Sequence, residues 1–310
     1  MSFGYQVLGF GSGGAAGAPF IVATGGTEVT CGDYKSHIFT GPGTLCVSAV
    51  TACCTGNTVD YLVIAGGGGA AGDRAGGAGA GGFRLSNALG LPAPTMSPLS
   101  NPTGIIVTQT AFPIVVGAGG TGPNMPLGVT GADTTALGLT SAGGGRSASG
   151  NTAPIAGGSG GGSYRPGSGG AGNTPPVSPP QGNSGGNAGP VLAGAGGGGA
   201  GAAGGPTSPA AGVGGSGSFL DDNAIGPTAP SYGTPGPTSS TRYFAGGGGG
   251  GGHQAQGNSG GTGGGGAGAN PGVSGTVNTG SGGGGGSPQG GNAVGGNGGS
   301  GLVIIRYKYQ

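Results

Sequence analysis

Runs of glycine constrain this chain more than any other feature of its sequence. Glycine supplies 93 of the 310 residues, and its runs are densest between residues 142 and 301, where short segments with Pro, Ser, Thr and Tyr interrupt them. Glycine has no side chain to bury and loses more backbone freedom on ordering than any other residue, so these runs cannot fold around an ordinary hydrophobic core. Any order they have must come from backbone hydrogen bonds.

Three backbone states suit such a composition: a collagen triple helix, a flexible linker, and glycine rods of polyproline II geometry packed side by side, known as polyglycine II. Collagen needs glycine at every third position, and the segment 145–150 breaks that register. The linker is the simplest interpretation of the composition alone. The rod interpretation is favoured because apolar strand candidates at 60–65 and 302–309 bracket the runs, and Pro-bearing breaks such as 174–180 separate them.

A polyglycine II rod has three residues per turn and no internal hydrogen bond. Its N–H and C=O groups point outward, so neighbouring rods must supply the hydrogen bonds, each with a net gain of about 0.5–1.5 kcal/mol. Ordering costs about 1–2 kcal/mol per residue, so only a cooperative bundle of many rods is expected to be stable. We expect interior rods to be glycine on every face. The predicted interior rods are 194–205, 245–252, 260–268 and 280–286.

Residues 19–141 predict a β-rich unit with a glycine-rich insertion. Strand-type patterns, with turn residues at 32–33 and 41–43, predict strands at 27–31, 34–40, 45–50, 58–65, 104–108 and 112–116. The apolar segment 302–310 predicts a C-terminal strand that returns to this unit. The predicted fold class is therefore all-β plus irregular structure, with a polyglycine II bundle and Pro-rich loops at 142–301 and essentially no α-helix.

Residues 1–18 form a separate segment in which aromatic and apolar residues alternate with Gly and Ser. Such a segment suggests a peptide that docks on another protein, and an edge strand of the next unit is the alternative. It lacks the positive region and long apolar stretch of a secretory signal, and no run of 18 apolar residues suggests a membrane span. The docking candidates are Phe3, Tyr5, Leu8 and Phe10.

Charged residues are scarce: eight Lys and Arg stand against seven Asp and Glu, for a formal net charge of +1. The sequence has no cluster of basic residues, so binding to nucleic acid is not expected.

The four cysteines all lie within the first 54 residues and permit three disulfide pairings. Zinc is disfavoured because Cys53 and Cys54 are adjacent and His37 is isolated from them. Cys31 and Cys46 could face each other across neighbouring strands, either as small apolar residues, which a reducing cytoplasm slightly favours, or as a late-formed disulfide.

The segment 67–72 matches the G-x-G-x-x-G pattern of dinucleotide-binding proteins after an apolar strand. That pattern needs a following helix whose N-terminus holds the pyrophosphate, and the glycine-rich segment 73–79 breaks helices. No catalytic residue, cofactor or metal is predicted, and an enzyme is the least favoured class of function.

Large side chains of the glycine-rich half are concentrated in the breaks between runs. Aromatic and Arg side chains on loops are typical of binding hot spots. The receptor-binding candidates are Tyr164, Arg165, Phe219, Tyr232, Arg242, Tyr243 and Phe244. The alternative for Phe219 and Phe244 is that they pack beneath the loops as small satellite cores.

Three segments, 23–45, 59–69 and 298–307, resemble the glycine-rich domain that is widespread in bacteriophage structural proteins, especially those of marine T-even-like cyanophages. The opening residues 1–11 also resemble the start of such virion proteins. The glycine runs are similar to those of tail-fibre tip adhesins, in which polyglycine II rods form a sandwich and the loops between them contact the host receptor. The resemblance implies a role in structure and attachment, and no enzyme.

These observations favour a virion surface protein, a fibre or adhesin component, that is assembled in the host cytoplasm. The N-terminal segment and the β unit would bind other virion proteins, and loops of the bundle would bind a host receptor, either protein or glycan. Neither nucleic acid nor membrane insertion is expected, and homo-oligomers are left open. The alternatives are a structural decoration of the capsid, neck or tail, and a cellular matrix or filament protein.

Overall fold

The structure is a computed structural model that describes residues 20–310 except 53, 93, 124–126, 151, 237–239, 254–256 and 289–292. The docking candidates Phe3, Tyr5, Leu8 and Phe10 lie outside the described residues, so docking through them stays a prediction.

Short strands make up nearly all the regular secondary structure. They are β1 (Val22–Thr24), β2 (Thr27–Cys31), β3 (Tyr34–Phe39), β4 (Gly43–Ala49), β5 (Thr58–Ile64), β6 (Phe83–Ser86), β7 (Ser100–Asn101), β8 (Ile105–Ile106), β9 (Ala111–Ile114), β10 (Thr134–Ala136), β11 (Leu139–Ser141), β12 (Ser218–Asp221), β13 (Thr234–Pro235), β14 (Thr241–Phe244) and β15 (Leu302–Lys308). The helical segments of the described residues are 3₁₀ turns at Cys54–Asn57, Asp222–Ala224 and Ala229–Ser231. The predicted all-β class with essentially no α-helix is confirmed. In the part of the chain that the structure describes, no helix has the length and apolar character to cross a membrane.

The largest sheet has the strand order β2-β3-β15-β5-β6-β7, and β8 pairs with the start of β5. The C-terminal strand β15 lies at its centre, antiparallel to both β3 and β5. The predicted return of this strand to the β unit is confirmed. Its residues from Leu302 to Tyr307 are all buried because both faces of the sheet are covered, which explains why β15 begins with the continuous apolar run 302–305.

One face of the large sheet packs against a second sheet, β1-β4-β9. Val303 and Ile305 of β15 share this core with Leu45 of β4 and Ile114 of β9. The alternation of side chains along the strand directs residues 302 and 304 to the opposite face.

The opposite face is covered by the 218–244 segment, which runs from β12 to β14. Leu220, Ile225 and Phe244 of this segment pack with Leu302 and Ile304 in the second core. The sequence predicted this segment as a break between rods, whereas the structure shows it as one layer of the β unit.

The free thiols of Cys31 and Cys46 lie in different sheets, on β2 and β4 respectively. The expectation that these two cysteines face each other across neighbouring strands is therefore wrong. Their strands are close in sequence, but the chain changes sheets between β3 and β4.

A buried pair of polar rings links β3 to β15. His37 Nδ1 lies 2.6 Å from the carbonyl oxygen of Gly25, so Nδ1 carries the proton and donates to it. Nε2 then accepts from the hydroxyl of Tyr307, at 2.9 Å. Burial is the largest influence on His37 and lowers its pKa, so the neutral imidazole is the folded form. Burial also raises the pKa of Tyr307 to about 12.

We expect acid to destabilise the protein through His37. The folded state resists protonation and the unfolded state does not, so the free energy of unfolding should fall as the pH drops below about 6.5. The charges of Glu28 on β2 and Lys35 on β3 also act on the His37 ring, and Tyr307 hydrogen-bonds to it. His37→Gln keeps these neighbours but cannot titrate, so it is the control that isolates the contribution of His37 to the pH dependence. Urea unfolding between about pH 8 and pH 5 measures the effect, and equal pH slopes in the two proteins would contradict it.

The glycine runs are ordered by hydrogen bonds that repeat every three residues. Along the rod 65–72, N–H groups three residues apart donate to the same neighbouring segment, and successive residues donate to different segments. The pairs are Gly66–Ala132 and Gly69–Val129, then Gly67–Gly299 and Ala70–Gly296, then Gly68–Gly79, with N···O distances of 2.8, 2.9 or 3.0 Å. Three residues per turn is the repeat of polyglycine II. The runs are therefore packed rods and not a flexible linker.

We call the rod 75–82 the central rod; it is enclosed on all sides, as the rod 245–252 also is. Its N–H groups donate to three neighbouring rods and its C=O groups accept from three others, so six rods surround it. The N–H groups of this rod donate to carbonyl oxygens in segments 142–148, 195–198 and 280–283. Its C=O groups accept from N–H groups in segments 65–68, 159–162 and 248–251. These partners come from both sides of residue 142, where the sequence predicted that the bundle begins. That domain division stays a prediction.

The predicted interior rods are buried to different extents. Segments 245–252 and 280–286 are buried throughout, 194–205 only as far as Ala200, and 260–268 only in part. The expectation that interior rods are glycine on every face is wrong, since Ala75, Ala78 and Ala80 of the central rod are fully buried. The requirement for glycine is set residue by residue. A Cβ at neighbouring Gly77 would lie 1.9 Å from the carbonyl oxygen of Gly248.

The bundle has two ends, which we name by what they join. At the sheet end the rods continue directly into strands, as 75–82 continues into β6 and 293–301 into β15. At the distal end the turn Asp73–Arg74, with positive φ at both residues, joins the rods 65–72 and 75–82. Two hydrogen bonds show that other loops lie at the same end. Gly76 donates to Ala148, and Gly162 donates to Gly77, so residues 148 and 162 lie beside the distal end of the rod 75–82 and the loops that follow them are also distal.

Candidate functional site

The structure divides the predicted receptor-binding residues between the two ends of the bundle. Phe219, Tyr232, Arg242, Tyr243 and Phe244 belong to the 218–244 segment at the sheet end. Tyr164 and Arg165 follow the rod that ends near Gly162, at the distal end. The seven residues therefore do not form one surface.

At the sheet end, Phe244 is fully buried in the core beneath the large sheet. Phe244 therefore packs in the protein interior, as the alternative prediction held. The core that it joins is one of the two main cores of the protein and not a small satellite core. Phe219 is partly exposed, and its ring lies 5.1 Å from that of Tyr243, measured between centroids. These two rings line a shallow cleft of about 380 Å³ together with Pro98 and Leu99.

Arg242 fastens its own segment. Its guanidinium donates to the carbonyl oxygens of Tyr232 at 2.7 Å, Gly233 at 3.0 Å and Pro230 at 3.2 Å. Tyr232 packs against the edge of the core. Both side chains thus hold the 218–244 segment in place.

At the distal end, two loops enclose a cleft of about 330 Å³. Gly150 and residues 152–154 form one wall, and residues 163–168 form the other. Ser163 shapes the second loop, since its hydroxyl donates to the carbonyl oxygen of Gly167 at 2.9 Å and accepts from the N–H of Ala188 at 2.7 Å. The cleft is therefore built by backbone and hydroxyl groups that are already fixed by hydrogen bonds.

Tyr164 and Arg165 are the large side chains of this distal cleft. Tyr164 is only 6% exposed, and its buried hydroxyl has no hydrogen-bond partner among the described residues. The exposed Arg165 has φ +60° and places its guanidinium 5.4 Å from the centroid of the Tyr164 ring. A left-handed backbone costs a non-glycine residue on the order of 1 kcal/mol, and such residues often cluster at binding sites.

Charge is distributed unevenly along the bundle. All the charged side chains of the sequence lie among the described residues, and those of the distal half are Arg74, Arg146, Arg165 and Asp73. Asp73 pairs with Arg74, at 3.1 Å between Oδ1 and Nε. The distal half is therefore basic, although the whole chain is nearly neutral. The sequence interpretation did not single out Arg74 or Arg146, although charged residues within glycine runs were the available signal.

A second and smaller distal cleft, of about 170 Å³, lies between residues 191–193 and 209–211 beside His253. Its most prominent side chain is Leu192, which is exposed. In the described part of the chain, no three His, Cys, Asp or Glu side chains come together as metal ligands would. The distal clefts are thus suited to contact and recognition, with hydroxyl, backbone and guanidinium groups as the polar partners.

Comparison with known protein families identifies the family of this chain. The sequence profile of the family described as "Glycine-rich domain" matches residues 39–308, from the end of β3 to the end of β15. No curated protein matches the chain significantly. The matched range includes the large sheet's central strand and every rod of the bundle, so the chain belongs to the glycine-rich domain family.

Proposed function

We propose that this protein is a structural component of a bacteriophage virion, a surface-exposed fibre or adhesin component that attaches the particle to its host. One observation carries the proposal: a rigid bundle joins the β unit at one end and presents a basic, aromatic cleft at the other. The resemblance of segments 23–45, 59–69 and 298–307 to phage glycine-rich domains supports the choice of a virion.

The two ends have different roles in this proposal. The N-terminal segment and the β unit bind other virion proteins, and the distal loops bind a molecule of the host surface. The protein is not an enzyme, and its location is the virion. Attachment uses the distal end because the large side chains of the 218–244 segment are mostly engaged in the core or in fixing that segment.

We expect Arg165→Ala to reduce adsorption of virions to host cells by at least about tenfold, since an exposed Arg at the centre of a contact is a typical hot spot. Lys308→Ala is the matched control, because Lys308 is also exposed but lies on β15 at the opposite end. Adsorption that is equal in the Arg165→Ala and unsubstituted virions would reject the distal end as the attachment surface. Exchanging the whole 218–244 segment would be a poor test because it removes Leu220 and Phe244 from the core.

Antibody labelling of intact virions separates this proposal from a decoration with a purely structural role. Label at the tip of a fibre supports attachment. Label on the capsid or neck supports decoration. Absence from virions, together with filament formation by the purified protein, would favour a matrix or filament protein.

A further inference from the structure

We propose that the distal cleft between residues 152–154 and 163–168 binds a saccharide that carries a carboxylate, such as a uronic acid. The inference rests on the proposed function, in which the distal end contacts the host surface, and it names the chemical class of the ligand. Three independent properties of the cleft support it: its charge, an unpartnered hydroxyl and the character of its walls.

The charge of the cleft favours an anion. Its lining includes the guanidinium of Arg165 and contains no Asp or Glu. Asp73, the acidic residue of the distal half, is already paired with Arg74. A guanidinium binds a carboxylate with two parallel hydrogen bonds, which are stronger than hydrogen bonds between neutral groups. A carboxylate is therefore the group that Arg165 is best suited to hold.

The Tyr164 hydroxyl indicates where the ligand lies relative to Arg165. The Tyr164 side chain lines the cleft and is more than nine-tenths buried, and its hydroxyl has no hydrogen-bond partner in the part of the chain that the structure describes. A buried hydroxyl without a partner costs about 1–3 kcal/mol. The Arg165 guanidinium lies 5.4 Å from the centroid of the Tyr164 ring, so a ligand held by Arg165 is close enough for one of its oxygens to complete the hydrogen bonding of the hydroxyl.

The walls of the cleft suit a sugar. Pro154 and Pro166 supply flat apolar surfaces, and Ser168 supplies a hydroxyl on a glycine-rich backbone. The hydroxyl of Thr152 is bonded to Ser149 and fixes the opposite wall. A pyranose likewise combines apolar C–H faces with a rim of hydroxyls. The volume of about 330 Å³ lies at the small end of ligand sites, which fits one or two sugar residues.

The test compares two disaccharides that differ at one group, a carboxylate in one and a hydroxymethyl group in the other. Cellobiouronic acid and neutral cellobiose are titrated separately into the purified full-length protein, and binding is followed by NMR chemical shifts and by calorimetry. We expect the acidic sugar to bind at least about tenfold more tightly than the neutral one, because the charge-assisted bonds to Arg165 are available only to the acid. The shifts should be centred on Tyr164 and Arg165.

Two variants and one control make the test specific. Arg165→Gln should abolish the preference for the acid, and Tyr164→Phe should weaken binding of both sugars by several-fold. Lys308→Gln, which removes an equal charge at the sheet end, should change neither affinity. Equal affinity for the two sugars, or a preference for the acid that survives Arg165→Gln, would overturn the inference.

The outcomes also distinguish this inference from the proposed function. If Arg165→Gln impairs adsorption but neither sugar binds, the attachment surface is correct, the ligand is of another class such as a protein, and the inference fails. If the acidic sugar binds through Arg165 but adsorption does not depend on this residue, the binding site stands and the proposed function fails.

Discussion

The substitution Gly77→Ala is expected to lower the free energy of unfolding by about 3 kcal/mol or more, or to prevent folding, because overpacking typically costs about 1–3 kcal/mol and here the added methyl meets fixed backbone. Gly77 lies in the central rod, and its added Cβ would lie 1.9 Å from the carbonyl oxygen of Gly248 and 2.4 Å from the carbonyl carbon. Backbone atoms cannot rotate out of the way as a side chain can. Relief requires that whole rods move apart, which lengthens hydrogen bonds on several sides of the rod.

Two control variants show whether the lattice causes this loss. Gly41→Ala adds the same methyl in the turn after β3, where no atom lies within 4 Å, and should change stability by less than about 0.5 kcal/mol. Ala78→Gly removes a buried methyl from the same rod and should cost about 1 kcal/mol. Urea unfolding of the three variants measures the difference. If Gly77→Ala is as stable as Gly41→Ala, the packing of the rods described here is incorrect.

The substitution Asp60→Ala is expected to cost about 3–5 kcal/mol, since it leaves a buried arginine without its counter-charge. The Asp60 carboxylate accepts from the N–H groups of Ala88 at 2.7 Å and Leu89 at 3.1 Å and from the Ser86 hydroxyl at 2.9 Å. It also lies 3.8 Å from Nη1 of Arg306, and both side chains are almost completely buried. Burial lowers the pKa of Arg306, and the charge of Asp60 opposes this effect.

The surface ion pair of Asp33 and Lys308 provides the matched comparison. It has the same 3.8 Å separation, but both of its side chains are more than half exposed, so Asp33→Ala should cost less than about 1 kcal/mol. The double variant Asp60→Ala, Arg306→Met should recover part of the stability, because it removes the uncompensated charge. Equal losses for Asp60→Ala and Asp33→Ala in chemical unfolding would show that Asp60 does not compensate a buried charge.

Local patterns in the sequence predicted the strands well where side chains alternate or form an apolar run. The strand predicted at 27–31 coincides with β2, and those at 34–40 and 58–65 exceed β3 and β5 by one residue. The short strands β6, β10 and β11 were missed because few residues carry the pattern. β6 pairs with β5 only after the chain has passed through two glycine rods, so its pairing depends on the fold. β10 and β11 form a local hairpin, but each has only three residues, too few to show alternation.

The candidate site was predicted only in part. Tyr164 and Arg165 were named because they are large side chains within glycine runs, and the structure brings them together on one cleft. The opposite wall, residues 152–154, has no large side chain and gave no signal. Phe244 has a local context similar to that of Tyr164, a large side chain separated from a glycine run by one residue, but the structure places it in the core. Sequence context alone could not separate these two cases.

The sequence by itself determined that the glycine runs form packed rods and that a C-terminal strand closes the β unit, because composition and apolar patterning act locally. Only the tertiary structure decided which rods neighbour one another, which glycines tolerate a methyl and which loops share the distal end. The physical reason is that one glycine rod is chemically like another. Rods carry almost no side chains to specify their neighbours, so the neighbours are set by the turns, the strands that anchor the rods, and the close backbone contacts of the assembled bundle.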